Sequence, residues 1–133
     1  MAKLVLTNSN VTLGSTDISA YVASVTLSIS VNEVETTSFG TGAVTRVGGL
    51  QDNSVTLDIH QDYSAIEGLV FPLIGGTTSL VIKPNGTAVG TANPSFSMTP
   101  LIVEWTPVNG AVGELATASV TWPISGTVTK AVA

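Results

Sequence analysis

The sequence predicts a mainly β protein, a two-layer β-sandwich or flattened barrel with one flanking α-helix. Three observations predict it. Val, Ile and Thr contribute 18, 8 and 19 of the 133 residues, and β-branched side chains favour the pleated surface of a strand. Apolar and hydroxyl residues alternate with period two in several short runs. Thirteen Gly and six Pro punctuate those runs with turn signals. The length suits one domain, 1–133, with a core of its own.

Taken in order, Lys3–Thr7 is a short β candidate, and Val11–Leu13 another after the turn at Asn8–Asn10. Gly14-Ser15-Thr16-Asp17 is a turn, and 17–22 a helical turn or irregular strand entry. Val25, Leu27, Ile29 and Val31 alternate with Thr26, Ser28 and Ser30, so one face is apolar and the other hydroxyl; the strand runs on through Glu35 to Thr37. Its partner is Ser54–His60, where Val55, Leu57 and Ile59 alternate with Thr56, Asp58 and His60. Between them Ser38–Asn53, rich in Gly and Thr, reads as a long loop, and long loops in compact domains tend to bind something.

The helix is expected over Asp62–Gly76, with Ser64 and Glu67 as a capping box, Asp62 as a rival cap, and Ile66, Leu69, Val70, Leu73 and Ile74 on one face. Pro72 shortens or kinks it, and Gly75-Gly76 ends it. Ser79–Lys83 is a strand stopped by Pro84-Asn85-Gly86. Phe96–Thr106 is a long strand broken at Pro100, with Leu101, Val103 and Trp105 on one face and Ile102 and Glu104 on the other. Leu115–Trp122 is the last main strand. Its small Ala116 and Ala118 on the inward side predict close approach of another layer. Pro123 ends it, and 125–133 is a C-terminal tail.

The chemistry available is limited. Net charge is −5, and the only cations are Lys3, Arg46, Lys83 and Lys130, too few for gripping nucleic acid. Cys is absent, which excludes disulfides and thiolate metal sites. No signal peptide or run of some 20 apolar residues is visible, so no membrane partner is expected. His60, with Asp58 or Asp62, could form a dyad or ligate a metal, but a surface or interface histidine is the simpler account. Glu33 and Glu35 could act as an acid/base pair, yet nothing in the sequence separates their protonation states; a solvated or lumen-facing acidic edge is the plainer reading. Gly40-Thr41-Gly42 and Gly48-Gly49 lack the phosphate-loop pattern and read as turn glycines with positive φ. Trp105 and Trp122 read as core. No catalytic residue, cofactor or metal site is expected. Only 10% of residues are charged against 44% hydrophobic, which fits either a neutral Thr/Ser surface or one covered by partners.

Several local patterns follow one another in a familiar order. Asp17-Ile18-Ser19 leads to Tyr21-Val22 and the alternating 25–31 strand. Glu35-Thr36-Thr37-Ser38-Phe39-Gly40 and Arg46-Val47-Gly48-Gly49-Leu50 come next. Ser54–His60 then runs into Gln61-Asp62-Tyr63. Lys83-Pro84, Asn93-Pro94, Val108–Ala116 and Val120-Thr121-Trp122-Pro123 complete the series. Over residues 15–130 it resembles the tail-tube (major tail) proteins of siphophages. That resemblance implies a structural virion protein, six copies to a ring, and rings stacked into a hollow tube. It implies contact with other phage tail proteins and transient passage of DNA without specific binding. It places assembly in the host cytoplasm and the product in the virion tail. On this view 38–53 is an inter-ring loop with Phe39, Arg46, Gly48, Gly49 and Leu50 as interface candidates. Glu33, Glu35, Asp58 and Glu104 are candidates for an acidic lumen face. The alternative is a capsid-decoration or other structural virion β-protein, since these too are small and β-rich. A carbohydrate-binding sandwich would call for clustered exposed aromatics, and the chain has seven aromatic residues in all.

Overall fold

The computed structural model describes residues 5–40 and 42–132. The start of the first predicted strand, Lys3 and Leu4, therefore lies outside the described residues, as do Thr41 in the predicted loop and Ala133 in the tail. The remainder of that strand, Val5–Thr7, has no strand pairing.

Two sheets face each other across one core. The first has five strands in the order β2-β1-β5-β6-β8: Thr16–Asp17, Asn10–Leu13, Leu80–Lys83, Ser95–Met98 and Thr129–Ala131. The second has three in the order β3-β4-β7: Val22–Glu35, Arg46–His60 and Thr117–Pro123. All pairings are antiparallel. The predicted β-sandwich with a flanking helix is the observed architecture, and the described strands form no closed barrel. Alternation explains the core. Val11, Leu13, Leu80, Ile82 and Met98 bury from one sheet; Val55, Leu57, Ile59, Ala118, Val120 and Trp122 bury from the other. Ala118 is fully buried beside Val120 and Trp122, while Ala116 is half-buried and precedes β7.

Four sequence expectations change. The helix is shorter: α1 spans Glu67–Val70 and passes into a 3-10 turn at Phe71–Leu73, because Pro72 has no amide to continue the i−4 ladder. Neither Ser64 nor Asp62 caps α1, whose N-cap is Ile66 with no side-chain bond; Asp62 instead caps the turn that precedes it. Its Oδ1 accepts from Ser64 N at 3.0 Å and Ala65 N at 3.2 Å, and from Ser64 Oγ at 2.7 Å. These bonds hold its carboxyl below the ordinary value, Ser64 being the main cause. Ile66 and Val70 bury against the core.

The predicted loop 38–53 is mostly strand. β4 begins at Arg46, and Glu35↔Arg46, Val34↔Val47 and Glu33↔Gly48 pair as one long hairpin with β3. The strands end at Glu35 and Arg46, and their connection is held at its base by Thr36 N donating to Thr45 O at 2.8 Å and Thr45 N to Thr37 Oγ1 at 3.0 Å. Gly48 and Gly49 are not turn glycines. The positive-φ positions are elsewhere, Gly40 and Gly42 among them. The register steps from Val31↔Gln51 to Glu33↔Gly48, so β4 carries one extra residue, a β-bulge. A Cβ on Gly49 would lie 3.0 Å from the Asn32 carbonyl oxygen and from Val34 Cγ2.

The predicted strand 96–106 ends at Met98. Beyond it come single bridges, Pro100↔Ile124 and Thr77↔Leu101, because Pro100 and Pro107 supply no donors. Ile102 is the buried residue here, while Val103 is exposed. Finally, the tail contains β8, paired to β6 through Ser95↔Ala131, Phe96↔Lys130 and Ser97↔Thr129. A three-residue alternation is too short to read from sequence, and the open β6 edge supplies the partner.

Candidate assembly surface

The β3-β4-β7 sheet places most of the candidate residues. Its regular register fixes which side chains share a face. Val25, Leu27, Val55, Leu57 and Ile59 face the core. The opposite face collects rows that cross all three strands: Ser24, Asp58 and Ser119; then Thr26, Thr56 and Thr121; then Ser28, Ser54 and Pro123. His60 and Thr117 continue it at one end and Ser30 and Asp52 at the other. Thr56 Oγ1 and Thr121 Oγ1 bond at 3.2 Å, and Ser30 Oγ donates to Asp52 O at 2.5 Å. The face is a carpet of hydroxyls with two carboxylates and one imidazole. Of the described cations, Lys83 and Lys130 belong to the other sheet, and Arg46 points to the opposite side of the hairpin.

The acidic candidates are therefore not gathered together. Asp58 is on the hydroxyl face. Glu33 and Glu35 share parity with Val31 and lie on the core-side face, beyond the core. Glu104 is at the β7 edge, where its Oε1 accepts from Thr121 N at 2.6 Å and its backbone oxygen accepts from Trp122 Nε1 at 2.8 Å.

Past Asn53, the last buried residue of β4, and its partner Ile29 the β3-β4 hairpin leaves the core, and residues 30–35 run on for roughly 20 Å at ~3.3 Å per residue. All of the interface candidates lie on this arm. Phe39 sits at its tip, fully exposed, and Leu50 is 84% exposed at the bulge. Arg46 Nε pairs with Glu33 Oε1, both side chains more than half exposed; Glu33 and Arg46 are diagonal neighbours on one face, which the bulge brings into register. Ile29, Val31, Val34, Val44 and Val47 are exposed as well, an apolar content that sequence reasoning assigned to a buried strand or a loop rather than to a projecting ribbon.

At the base of the arm the sandwich is open on the β3 side. A cleft of about 560 Å³ is lined by residues 6–9, Asp17, Ser19 and 22–25, and a more apolar one of about 310 Å³ by Leu27, Ile29, Ile82 and Phe96 among others. Asp17 is committed to structure: its Oδ1 accepts from Ser19 N at 2.9 Å and Ser19 Oγ at 2.5 Å, contacts that lower its pKa. Among the described residues no group of three or more His, Cys, Asp or Glu could hold a metal ion. No described helix is long and apolar enough to cross a membrane.

No protein-family model and no curated protein matches the chain. Solved structures do. The fold recurs in a contractile injection machine. A chain from the extracellular contractile injection system structure "PVC sheath/tube terminator in extended state" superposes with a TM-score of 0.73 at 15% identity, covering 98% of this chain and 97% of the other. A chain from the "PVC sheath-tube complex in extended state" gives 0.70 at 14% identity, covering 98% and 93%. Likeness at this identity over nearly full length on both sides establishes a common fold.

Proposed function

We propose that this chain is a structural subunit of a tail or injection tube, assembling side by side with copies of itself. The hydroxyl face of β3-β4-β7 carries the reading. Among its described residues there is no Lys or Arg, so a phosphate backbone passing over it would meet no counter-charge and release no counterions. A conduit must let its cargo slide, and a neutral to acidic wall does so where a basic wall would hold.

Two further features support the reading. The β3 edge is unpaired among the described residues and open to a neighbouring strand, and closing such edges into a ring removes them from uncontrolled pairing. The projecting arm presents an aromatic tip and an apolar flank, surface suited to burial against another copy. The likeness in fold to chains of a sheath/tube terminator and a sheath-tube complex agrees with this. Six subunits per ring, stacked rings, DNA passage during ejection, other tail proteins as partners and a place in the virion tail follow from the siphophage resemblance and complete the proposal. The role asks for no catalytic residue and no cofactor.

Negative-stain microscopy of the concentrated full chain tests it. Hollow tubes or rings of uniform width are expected. Binding to intact capsids without tube formation would instead make the chain a decoration protein.

A further inference from the structure

The two edges of the β3-β4-β7 sheet differ. Thr121 turns its N–H away from β4, so by the antiparallel alternation Val25, Leu27, Ile29 and Val31 turn theirs outward from β3. Among the described residues these have no partner. On β7 the outward positions are Thr117, Ser119, Thr121 and Pro123, at the same two-residue spacing, and the 101–109 segment lies against them. Leu101 N donates to Pro123 O at 2.8 Å, and Thr117 N donates to Asn109 O at 3.1 Å. These are backbone bonds, as in any strand. Between them a side chain does the work of a strand: Glu104 Oε1 takes the Thr121 N–H at 2.6 Å. The Glu104 backbone oxygen is turned to Trp122 Nε1.

We propose that Glu104 is a removable edge cap: its carboxylate holds the Thr121 N–H in the free subunit and gives it up to a backbone carbonyl from the β3 edge of a second copy. The proposal rests on the self-assembly reading above. A carboxylate suits the task because it only accepts. It satisfies the edge donor while setting a negative charge where an incoming carbonyl would arrive, which discourages pairing in wrong registers. The covering segment is also imperfectly settled. Among the described residues Trp105 Nε1 and Thr106 Oγ1 are buried without a hydrogen-bond partner, so lifting its middle frees polar groups that the closed position leaves unmatched. The edges to be joined lie on opposite sides of one sheet. Their pairing is therefore head-to-tail and propagates.

The test measures the concentration at which the full chain begins to associate, by sedimentation and light scattering, for wild type, Glu104→Ala, Glu104→Gln and Ile29→Pro. Ile29 turns its N–H outward on an edge strand, where proline leaves the subunit folded but blocks an incoming partner. Loss of the cap in Glu104→Ala should lower the onset about three- to tenfold, the scale of one charge-assisted hydrogen bond at an exposed edge. Glu104→Gln, which still accepts but carries no charge, should fall between, and Glu104→Ala combined with Ile29→Pro should not associate. An unchanged or higher onset in Glu104→Ala, with Ile29→Pro blocked, overturns the cap and leaves self-assembly standing; so does a lower melting temperature alone. Association of Ile29→Pro at the wild-type onset, or none by wild type and Glu104→Ala alike, overturns the edge pairing itself.

Discussion

The β3-β4 hairpin is one ribbon with two fates. At its base Val55, Leu57 and Ile59 are fully buried, and Val25 and Leu27 pack against them. Farther along, Ile29 and Val31 continue the alternation of Val25 and Leu27 yet are exposed, as are Val47 and Leu50. Composition does not separate the halves; the presence of the second sheet does. The base shares one core with β1, β5 and β6, Ile29 borders a cleft with Ile82 and Phe96, and beyond Ile29 nothing among the described residues covers the arm. Apolar alternation thus marks a surface that requires a partner. Whether that partner is the chain's own second layer or another molecule depends on how far the second layer extends.

The largest test of the comparison is to cut the same side chain on both halves. Leu57→Ala opens a cavity in a fully buried site and should cost about 2–5 kcal/mol of unfolding free energy in urea titrations. Leu50→Ala, on the same strand, should change stability by no more than about 0.5 kcal/mol, while weakening self-association. A comparable loss of stability at both positions would mean that the arm is packed in the isolated subunit.

Next in size is the bulge. Gly49→Ala drives a methyl group against the Asn32 carbonyl, and overpacking of this kind costs about 1–3 kcal/mol. Because the arm is outside the core, the loss should appear in amide exchange of 31–35 and not in the global transition.

These expectations also explain what was legible in the residues. The base could be read because its alternation is matched by Ser54–His60 and both are short of breakers. The arm could not. Gly48-Gly49 looks like a turn when it is a bulge, and a bulge is a property of the pair of strands rather than of either one. The hydroxyl face was readable strand by strand, but the alignment of Thr26, Thr56 and Thr121 across the sheet needed the register. Glu104 was misplaced because Pro100 and Pro107 turn its segment from a ladder strand into a covering flap, and which side chain then meets the β7 edge depends on tertiary packing. Asp62 was at least named as a cap, though of the helix rather than of the turn that precedes it.

Acid acts on two turns of the body. Asp17 and Asp62 each hold a turn at the margin of the core, and hydrogen bonds from Ser19 and Ser64 respectively are the first cause of their lowered pKa values. A carboxyl whose folded pKa lies below its unfolded value of 3.8 adds stability above that value, and the gain disappears as pH falls through the folded pKa. Urea midpoints should therefore hold from neutrality to about pH 5 and fall below about pH 4. In Asp17→Asn/Asp62→Asn part of that fall should vanish. An unchanged acid limb in the double variant would show that these turns do not carry it.

The smallest effect belongs to the arm's ion pair. Glu33 and Arg46 meet across the bulge with 65% and 53% of their side chains exposed, so water and salt screen them. An exposed pair contributes about 0–1 kcal/mol, and Arg46→Ala should leave the melting temperature almost unmoved at 0.15 M salt, where the screening length is about 8 Å. Its influence should appear only in self-association, where a neighbouring copy removes water from the pair and its attraction strengthens. Comparing Arg46→Ala with Glu33→Gln isolates that gain: if both weaken association equally and the double variant no further, the two residues act as one contact. Additive losses would mean instead that each meets its own partner on the neighbour, and that the pair seen in the single subunit is exchanged on assembly.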